Sequence, residues 1–295
     1  MATPLTIDRA HSLRGAPPWM PYSPCAVGCL AAGPGAATVS TPVAVVRLAG
    51  LVLVLASAVP LAIAYPLLGA GARAAVVARC CWLMLRAVGV TLRLEAAPAA
   101  GRGPALVVAN HISWLDVLVL GAVRPGRMVA RADLRGWPVV GPVAARAGAI
   151  FVDRSRLSLL PRAVAEAGAA LRGGATVIAF PEGTTWCGAP GGPFRPALFQ
   201  AAVDAGVPIE PVSVRYLAGG APSTAPAFVG DDSLVGSVWR VARASGLSAV
   251  VRQHPPLPSD AGRRALAGEV GRLVHGSGRP AHRVAVTGGV NDTLR

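Results

Sequence analysis

Residues 48–72, LAGLVLVLASAVPLAIAYPLLGAGA, carry no charged side chain over 25 consecutive positions. About 20 apolar residues suffice for a helix to cross the hydrocarbon layer of a bilayer. The stretch therefore predicts a membrane segment, and Pro60 and Pro66 predict that its helix kinks or ends early. Arg47 and Arg73 flank it. The next segment, 72–90, places Arg79 and Arg86 seven residues apart on one helical face, with Val76, Val77, Cys80, Trp82, Leu83 and Leu85 supplying apolar bulk. That pattern predicts a second, interfacial helix with its Arg residues at head-group level. The alternative is a helix pair buried in the core of a soluble protein, and the uncharged length weighs against it.

The rest of the chain is long enough, and at 53% hydrophobic apolar enough, to build a sizeable core. The net charge of +14 comes entirely from Arg, since all 28 basic residues are Arg and there is no Lys. These Arg residues are scattered singly, with no basic tract and no interleaved aromatic platform, which argues against a nucleic-acid partner. A membrane surface or an anionic substrate remains as the partner of this charge. Cysteine usage points to a reducing compartment. The five cysteines, Cys25, Cys29, Cys80, Cys81 and Cys187, are odd in number and irregular in spacing, and no C-x-x-C pair suggests zinc. Cys187 reads as an inert thiol rather than a nucleophile.

Composition divides the chain. Residues 1–42, rich in Pro, Gly, Ala, Ser and Thr, read as a disordered leader without the features of a signal peptide. Residues 43–90 form the membrane-associated helix pair. From 91 to 260 short apolar strands (90–96, 105–109, 148–153, 176–180, 209–216) alternate with helical patterns (113–122, 158–174, 197–206). This predicts an α/β domain with a mostly parallel sheet and flanking helices. A C-terminal helix and polar tail occupy 261–295.

One apolar run is broken by chemistry. In NHISWLDV, residues 110–117, His111 and Asp116 stand five positions apart. Inside one regular helix they would lie about 140° apart and could not meet. They converge only if His111 sits in the turn before the helix. Ser113 as N-cap, with Asp116 at the third helical position, supplies that turn as a capping box. His111 then stands at the carboxyl end of a strand, where α/β sheets place their sites. Two readings stay open: Asp116 merely caps the helix beside a polar loop histidine, or it orients His111 as a general base.

Other blocks keep it company. AFPEGTT, 179–185, follows another strand, and its turn offers the amides of Gly183 and Thr184 to an anion or oxyanion. Glu182 would bind a substrate hydroxyl, fix the loop, or cap a helix. Arg154 ends the strand GAIFVD on the same sheet edge, or is a surface cation. GVPIEPVSV, 206–214, enters a strand through two prolines that would shape a cleft wall.

Together these blocks resemble the glycerolipid acyltransferase family, which includes the 1-acylglycerol-3-phosphate acyltransferases. Asn110, His111 and Asp116 match its Asn-His-x-x-x-x-Asp block. Gly148, Phe151 and Arg154 match the second block, which ends in a phosphate-binding Arg. Phe180, Pro181, Glu182, Gly183 and Thr184 match the third, and Val207, Pro208, Ile209, Pro211 and Val212 the fourth. Order and spacing agree over about residues 75–220. The resemblance implies transfer of a fatty acyl group from acyl-CoA or acyl-carrier protein to a lysolipid hydroxyl, most simply 1-acylglycerol-3-phosphate giving phosphatidic acid. FPEGTT also looks like members that acylate lyso-ornithine lipid or other lysophospholipids. His111 and Asp116 would be catalytic. Glu182, Gly183, Thr184 and Arg154, with Arg131 and Arg195, would hold the acceptor and the developing charge. No metal or cofactor beyond the acyl donor is implied. The expected location is the cell membrane, with the catalytic domain on the cytoplasmic side. An esterase lacks its Gly-x-Ser-x-Gly elbow. The condensation-type acyltransferases need a three-residue gap where this chain has four. A reading of another class is a membrane-anchored lipid-binding protein that has lost catalysis.

Overall fold

The computed structural model describes residues 20–30, 37–95, 101, 103–188 and 191–276. Helix α1, Thr41–Ala64, runs through Pro60 and ends in a 3-10 turn, Tyr65–Leu67, that carries Pro66. It is one helix long and apolar enough to cross a membrane. Only Ala44, Leu51 and Ala58 of it are buried. Leu53 and Ile63 are about 70% exposed, so its outward face is an apolar strip with nothing covering it among the described residues. That exposure disfavours the soluble-core alternative. The helix is anchored inward by Arg47, whose guanidinium donates to the carbonyls of Ala242 and Ala244, both at 2.8 Å.

Helix α2, Ala70–Ala87, follows. Arg79 and Arg86 share a face as expected, and both guanidinium groups sit over the Trp82 ring, at 4.6 and 5.7 Å from its centroid. The inner side of α2 lies against α3, Leu115–Val123. Gly121 permits the approach, because a Cβ there would come within 2.6 Å of the Cys81 sulfur. Thus α2 joins the apolar helix α1 to the helix that carries Asp116.

The domain proper is an eight-stranded sheet. Its strands are β1 (Thr91–Leu94), β2 (Leu106–Ala109), β3 (Arg127–Arg131), β4 (Ile150–Val152), β5 (Val177–Ala179), β6 (Ile209–Ala218), β7 (Ala221–Pro222) and β8 (Leu247–Gln253). They lie in the order β1-β8-β6-β2-β5-β3-β4, with β7 beside β6. Neighbours pair in parallel except β6–β8 and β6–β7, so β1, β7 and β8 run against the rest. The remaining helices are α4 (Val140–Arg146), α5 (Leu160–Arg172), α6 (Phe199–Ala205), α7 (Leu234–Arg243) and α8 (Arg263–His275).

Strand β2 shows why the sheet is sandwiched. All four of its residues are buried. Val107 and Ala109 face a cluster with Leu51, Leu85, Leu115 and Val119, while Leu106 and Val108 face one with Phe199, Leu171 and Leu266. The period of two divides a continuous apolar run between two layers of helices. The expected α/β architecture and helix pair are present. The strands β3, β7 and β8 and the helices α4 and α7 have no counterpart among the elements expected from the sequence, and β7 and β8 make the sheet mixed.

The expected leader divides. Residues 1–19 and 31–36 lie outside the described residues, as does the expected tail from 277. Residues 20–30 are placed, with Cys25 buried and a 3-10 turn over Val27–Leu30, and Thr38 bridges to Ala244. The reading of 1–42 as wholly disordered is corrected for this part. Replacing Leu53 and Ile63 together by Asp should release the chain from lipid vesicles in a flotation assay. The domain's stability should move by less than about 0.5 kcal/mol per site, since neither side chain packs inside.

Candidate active site

The parallel strands β2, β3, β4 and β5 end on one edge of the sheet, and three of the four blocks emerge there, whereas the fourth, 206–214, enters β6 from the opposite edge, so its prolines do not form the expected cleft wall. The first is shaped by Asn110. Its Oδ1 accepts from the Val214 amide at 2.8 Å and its Nδ2 donates to the Val214 carbonyl at 3.0 Å. The carboxamide so extends the β2–β6 ladder one residue beyond the strand and frees the next backbone unit to turn. His111 occupies that turn.

Asp116 lies fully buried at the start of α3. Its Oδ2 accepts from the amides of Ile112 (2.6 Å) and Ser113 (2.8 Å) and meets His111 Nδ1 at 2.9 Å. Its Oδ1 accepts from the Tyr216 hydroxyl at 2.6 Å. Helix α3 starts at Leu115, so its N-cap is Trp114 and not the expected Ser113, and Asp116 is its second residue; Ser113 Oγ accepts from the Leu115 amide at 3.3 Å just before the helix. The two readings of Asp116 were not exclusive, because one oxygen both caps the turn and holds the imidazole. With Nδ1 on Asp116, the histidine's Nε2 has no hydrogen-bond partner among the described residues. The ring stacks on Phe180, centroids 4.2 Å apart.

Glu182 is also buried, at 3% exposure. Its Oε2 accepts from the His111 amide at 2.6 Å and its Oε1 from the Gly192 amide at 2.8 Å. Of its three expected roles it fixes the loop, tying the FPEGTT turn to the histidine's own backbone. Burial pushes its carboxyl up to about 8 against the pull of the two amides.

Gly183 takes a left-handed conformation, φ +73°, as the turn requires. Its amide donates to the Phe180 carbonyl at 3.1 Å. That amide is spent inside the turn, which corrects its expected use as an oxyanion donor. The Thr184 amide has no such bond among the described residues. The Gly183 carbonyl accepts from Arg154.

Arg131, Arg154, Gly183 and Thr184 line one cavity of about 390 Å³, with Met20, Pro21, Asp133 and Asp153. Arg195 lines an adjoining apolar cavity with Phe180, Leu157, Leu160 and Leu198. Burial, and next the charge of Arg131 with a smaller part from Arg195, lowers the Arg154 guanidinium to about 10. Arg131 is exposed and pairs through two nitrogens with Asp133 at 3.0 and 2.9 Å. The edge thus gathers every expected site residue, with His111 and Asp116 in contact and the cations grouped beside Gly183 and Thr184. Tyr216 was missed. It lies on β6 as an apolar-patterned residue, and only the parallel β2–β6 pairing brings it under Asp116.

A buried Asp116 holding a partly exposed His111 at the carboxyl edge of a parallel sheet, beside an Arg-lined cavity, is an arrangement suited to acid–base chemistry. A family model described as Acyltransferase matches residues 90–215. The chain is 34% identical over 180 residues to the lyso-ornithine lipid O-acyltransferase of Pseudomonas aeruginosa, covering 60% of this chain and 69% of that one. It is 40% identical over 139 residues to the 1-acyl-sn-glycerol-3-phosphate acyltransferase of Neisseria gonorrhoeae, covering 46% of this chain and 53% of that one. The crystal structure of the 1-acyl-sn-glycerophosphate acyltransferase of Thermotoga maritima shares its fold, with a TM-score of 0.51, 21% identity, and 78% of this chain and 95% of that one covered. This chain belongs to the acyltransferase family that these enzymes represent.

Glu182→Gln offers one acceptor where two amides need one each, so it should cost about 1–3 kcal/mol. It should also flatten the pH dependence of stability. The native carboxyl keeps its proton up to about 8, whereas an unfolded one releases it near 4.5. The wild type therefore loses stability as pH rises from about 4.5 to about 8, at up to about 1.4 kcal/mol per pH unit. Thermal unfolding of both proteins across that range reads the difference.

Proposed function

We propose that this protein transfers a fatty acyl group from acyl-CoA or acyl-carrier protein to the free hydroxyl of a lysolipid, with 1-acylglycerol-3-phosphate as acceptor and phosphatidic acid as product. The observation that carries this reading is the His111 Nδ1–Asp116 Oδ2 contact of 2.9 Å beside the Arg-lined cavity. His111 Nε2 takes the acceptor's hydroxyl proton as its oxygen attacks the thioester carbonyl. Asp116 fixes the imidazole and balances its positive charge. The Thr184 amide is the donor left to meet the oxyanion. As the C–S bond breaks, the imidazolium returns the proton to the departing thiolate. No metal, cofactor or acyl-enzyme takes part.

Arg154, Arg131 and Arg195 favour an anionic head group, since guanidinium groups donate paired hydrogen bonds to phosphate. The exposed apolar strip of α1 supports a membrane location, and the excess of Arg after it (Arg73, Arg79 and Arg86) over the single Arg47 before it supports a catalytic domain on the cytoplasmic side. A second reading has its own support: Asp133 and Asp153 line the same cavity as Arg131 and Arg154. Such mixed charge suits the ammonium and carboxylate of lyso-ornithine lipid. The intact dyad weighs against a protein that only binds lipid.

The test uses purified protein with labelled acyl-CoA or acyl-carrier protein and a panel of lysophosphatidic acid, lyso-ornithine lipid and lysophosphatidylethanolamine. Diacyl product from lysophosphatidic acid, reduced at least about a hundredfold in His111→Ala, is the expected result. Product from lyso-ornithine lipid alone would establish the second reading, and no product from any acceptor would overturn both. Arg154→Ala should raise KM for lysophosphatidic acid roughly tenfold or more, as loss of a charge-assisted contact does. Tyr216→Phe should lower kcat by about tenfold and leave KM nearly unchanged, because it disturbs the histidine's support and not the acceptor.

A further inference from the structure

Three cysteines that the sequence holds apart meet beside the catalytic loop. Cys25 and Cys29 come from the N-terminal segment 20–30, and Cys187 ends the loop that begins with Phe180. Their sulfurs all lie within 4.8 Å of one another. The Cys187 amide donates to the Cys25 sulfur at 3.4 Å. Cys25 and Cys187 are buried, at 5% and 4% exposure, and Cys29 is partly exposed.

The arrangement has the parts of a thiolate metal site. A C-x3-C pair on one short turn plus a distant third cysteine falls within the ligand spacings of zinc sites. Four-coordinate zinc with bonds of about 2.3 Å to sulfur sets its sulfurs about 3.8 Å apart, so little movement is needed. A disulfide would use two of the three sulfurs and give the third no part. The partly exposed Cys29 side leaves room for a water as fourth ligand.

We propose that Cys25, Cys29 and Cys187 bind one zinc(II) ion as thiolates, with a fourth position open to solvent, and that the ion clamps segment 20–30 onto the catalytic loop. Binding releases the thiol protons. The clamp has two consequences for the site. Pro21 lies against Gly183, where a Cβ would come within 2.6 Å of its ring, and Met20 and Pro21 both line the Arg-bordered cavity. Zinc therefore fixes one wall of that cavity. On the other side, Trp186, next to Cys187, donates its amide to the His111 carbonyl at 2.8 Å. Holding Cys187 steadies the backbone of the dyad. The ion is structural and stands outside the transfer reaction.

The test is metal binding by the full chain, purified in detergent with reductant and without chelator, and it does not depend on acyl transfer. Elemental analysis should find about one zinc per chain. Cobalt(II) exchanged into the site should give an intense thiolate-to-cobalt charge-transfer band. Cys29→Ser should lose the band and bind zinc at least tenfold more weakly, whereas Cys80→Ser and His111→Ala should match the wild type. Without any variant, zinc should slow alkylation of Cys25, Cys29 and Cys187 at least tenfold, and EDTA should restore it. No charge-transfer band, or a band that survives in Cys29→Ser, would overturn the proposal. Loss of two alkylatable thiols without metal, recovered by reductant, would overturn it in favour of a disulfide.

Discussion

The site depends on one buried carboxylate. Asp116 has no exposure to solvent, and a charge in that position is tolerable only if hydrogen bonds replace its water. Four donors do so: two backbone amides of the turn, the His111 ring and the Tyr216 hydroxyl. The demand runs in both directions. The carboxylate needs the Ile112 and Ser113 amides, so the chain must turn tightly after β2. The turn puts His111 at the mouth of the sheet, and the ring is then held by the same oxygen. Closing of the turn and orientation of the imidazole are one interaction.

A second buried acid repeats the device one strand away. Glu182 uses one oxygen for the His111 amide and the other for the Gly192 amide, so β2 and β5 are tied together just beyond their last ladder bonds. Burial holds this acid towards its neutral form. In that form Glu182 offsets none of the charge of Arg154, whose guanidinium is lowered first by burial and further by Arg131 and, less strongly, Arg195. What remains uncompensated on the open side is positive, which is the field an anionic acceptor meets first.

The parts legible in the sequence share a property: they act through local geometry. The five-residue gap between His111 and Asp116, and the turn chemistry of Pro181 and Gly183, can be worked out from helix angles and capping rules alone. What escaped was set by sheet order. Tyr216 sits about a hundred residues from Asp116, and it meets the carboxylate because β6 pairs with β2. Asn110 matches a family block in the sequence, but nothing there shows that its side chain pairs with Val214. The Gly183 amide looked available until the turn closed on Phe180. Strand β8, LSAVVRQ, is apolar at most positions and could as well belong to a buried helix, and its direction follows from packing beside β6. Segment 20–30 has the composition of a disordered leader, and it is ordered by contacts with residues 183–187 and 230 that no local pattern announces.

The apolar helix α1 is connected to this chemistry by packing. Its buried face rests on α2 and α7, and α2 rests on α3, the helix that begins with the catalytic turn. Interiors are close-packed and transmit displacement. A shift of α1 along the bilayer normal would therefore be felt at α3 through the glycine contact of Gly121 with Cys81. Arg47 limits that shift, since its guanidinium holds two carbonyls at the end of α7. The apolar strip of α1, the part of the chain that could anchor in a membrane, thus stands at a fixed distance from the His111–Asp116 pair. A lysolipid keeps its single chain in the same lipid layer, so its hydroxyl rises only a short way from the surface. An acceptor of that kind is served best by a base whose position is fixed to the membrane by a short, tightly packed path, and α1, α2 and α3 provide one.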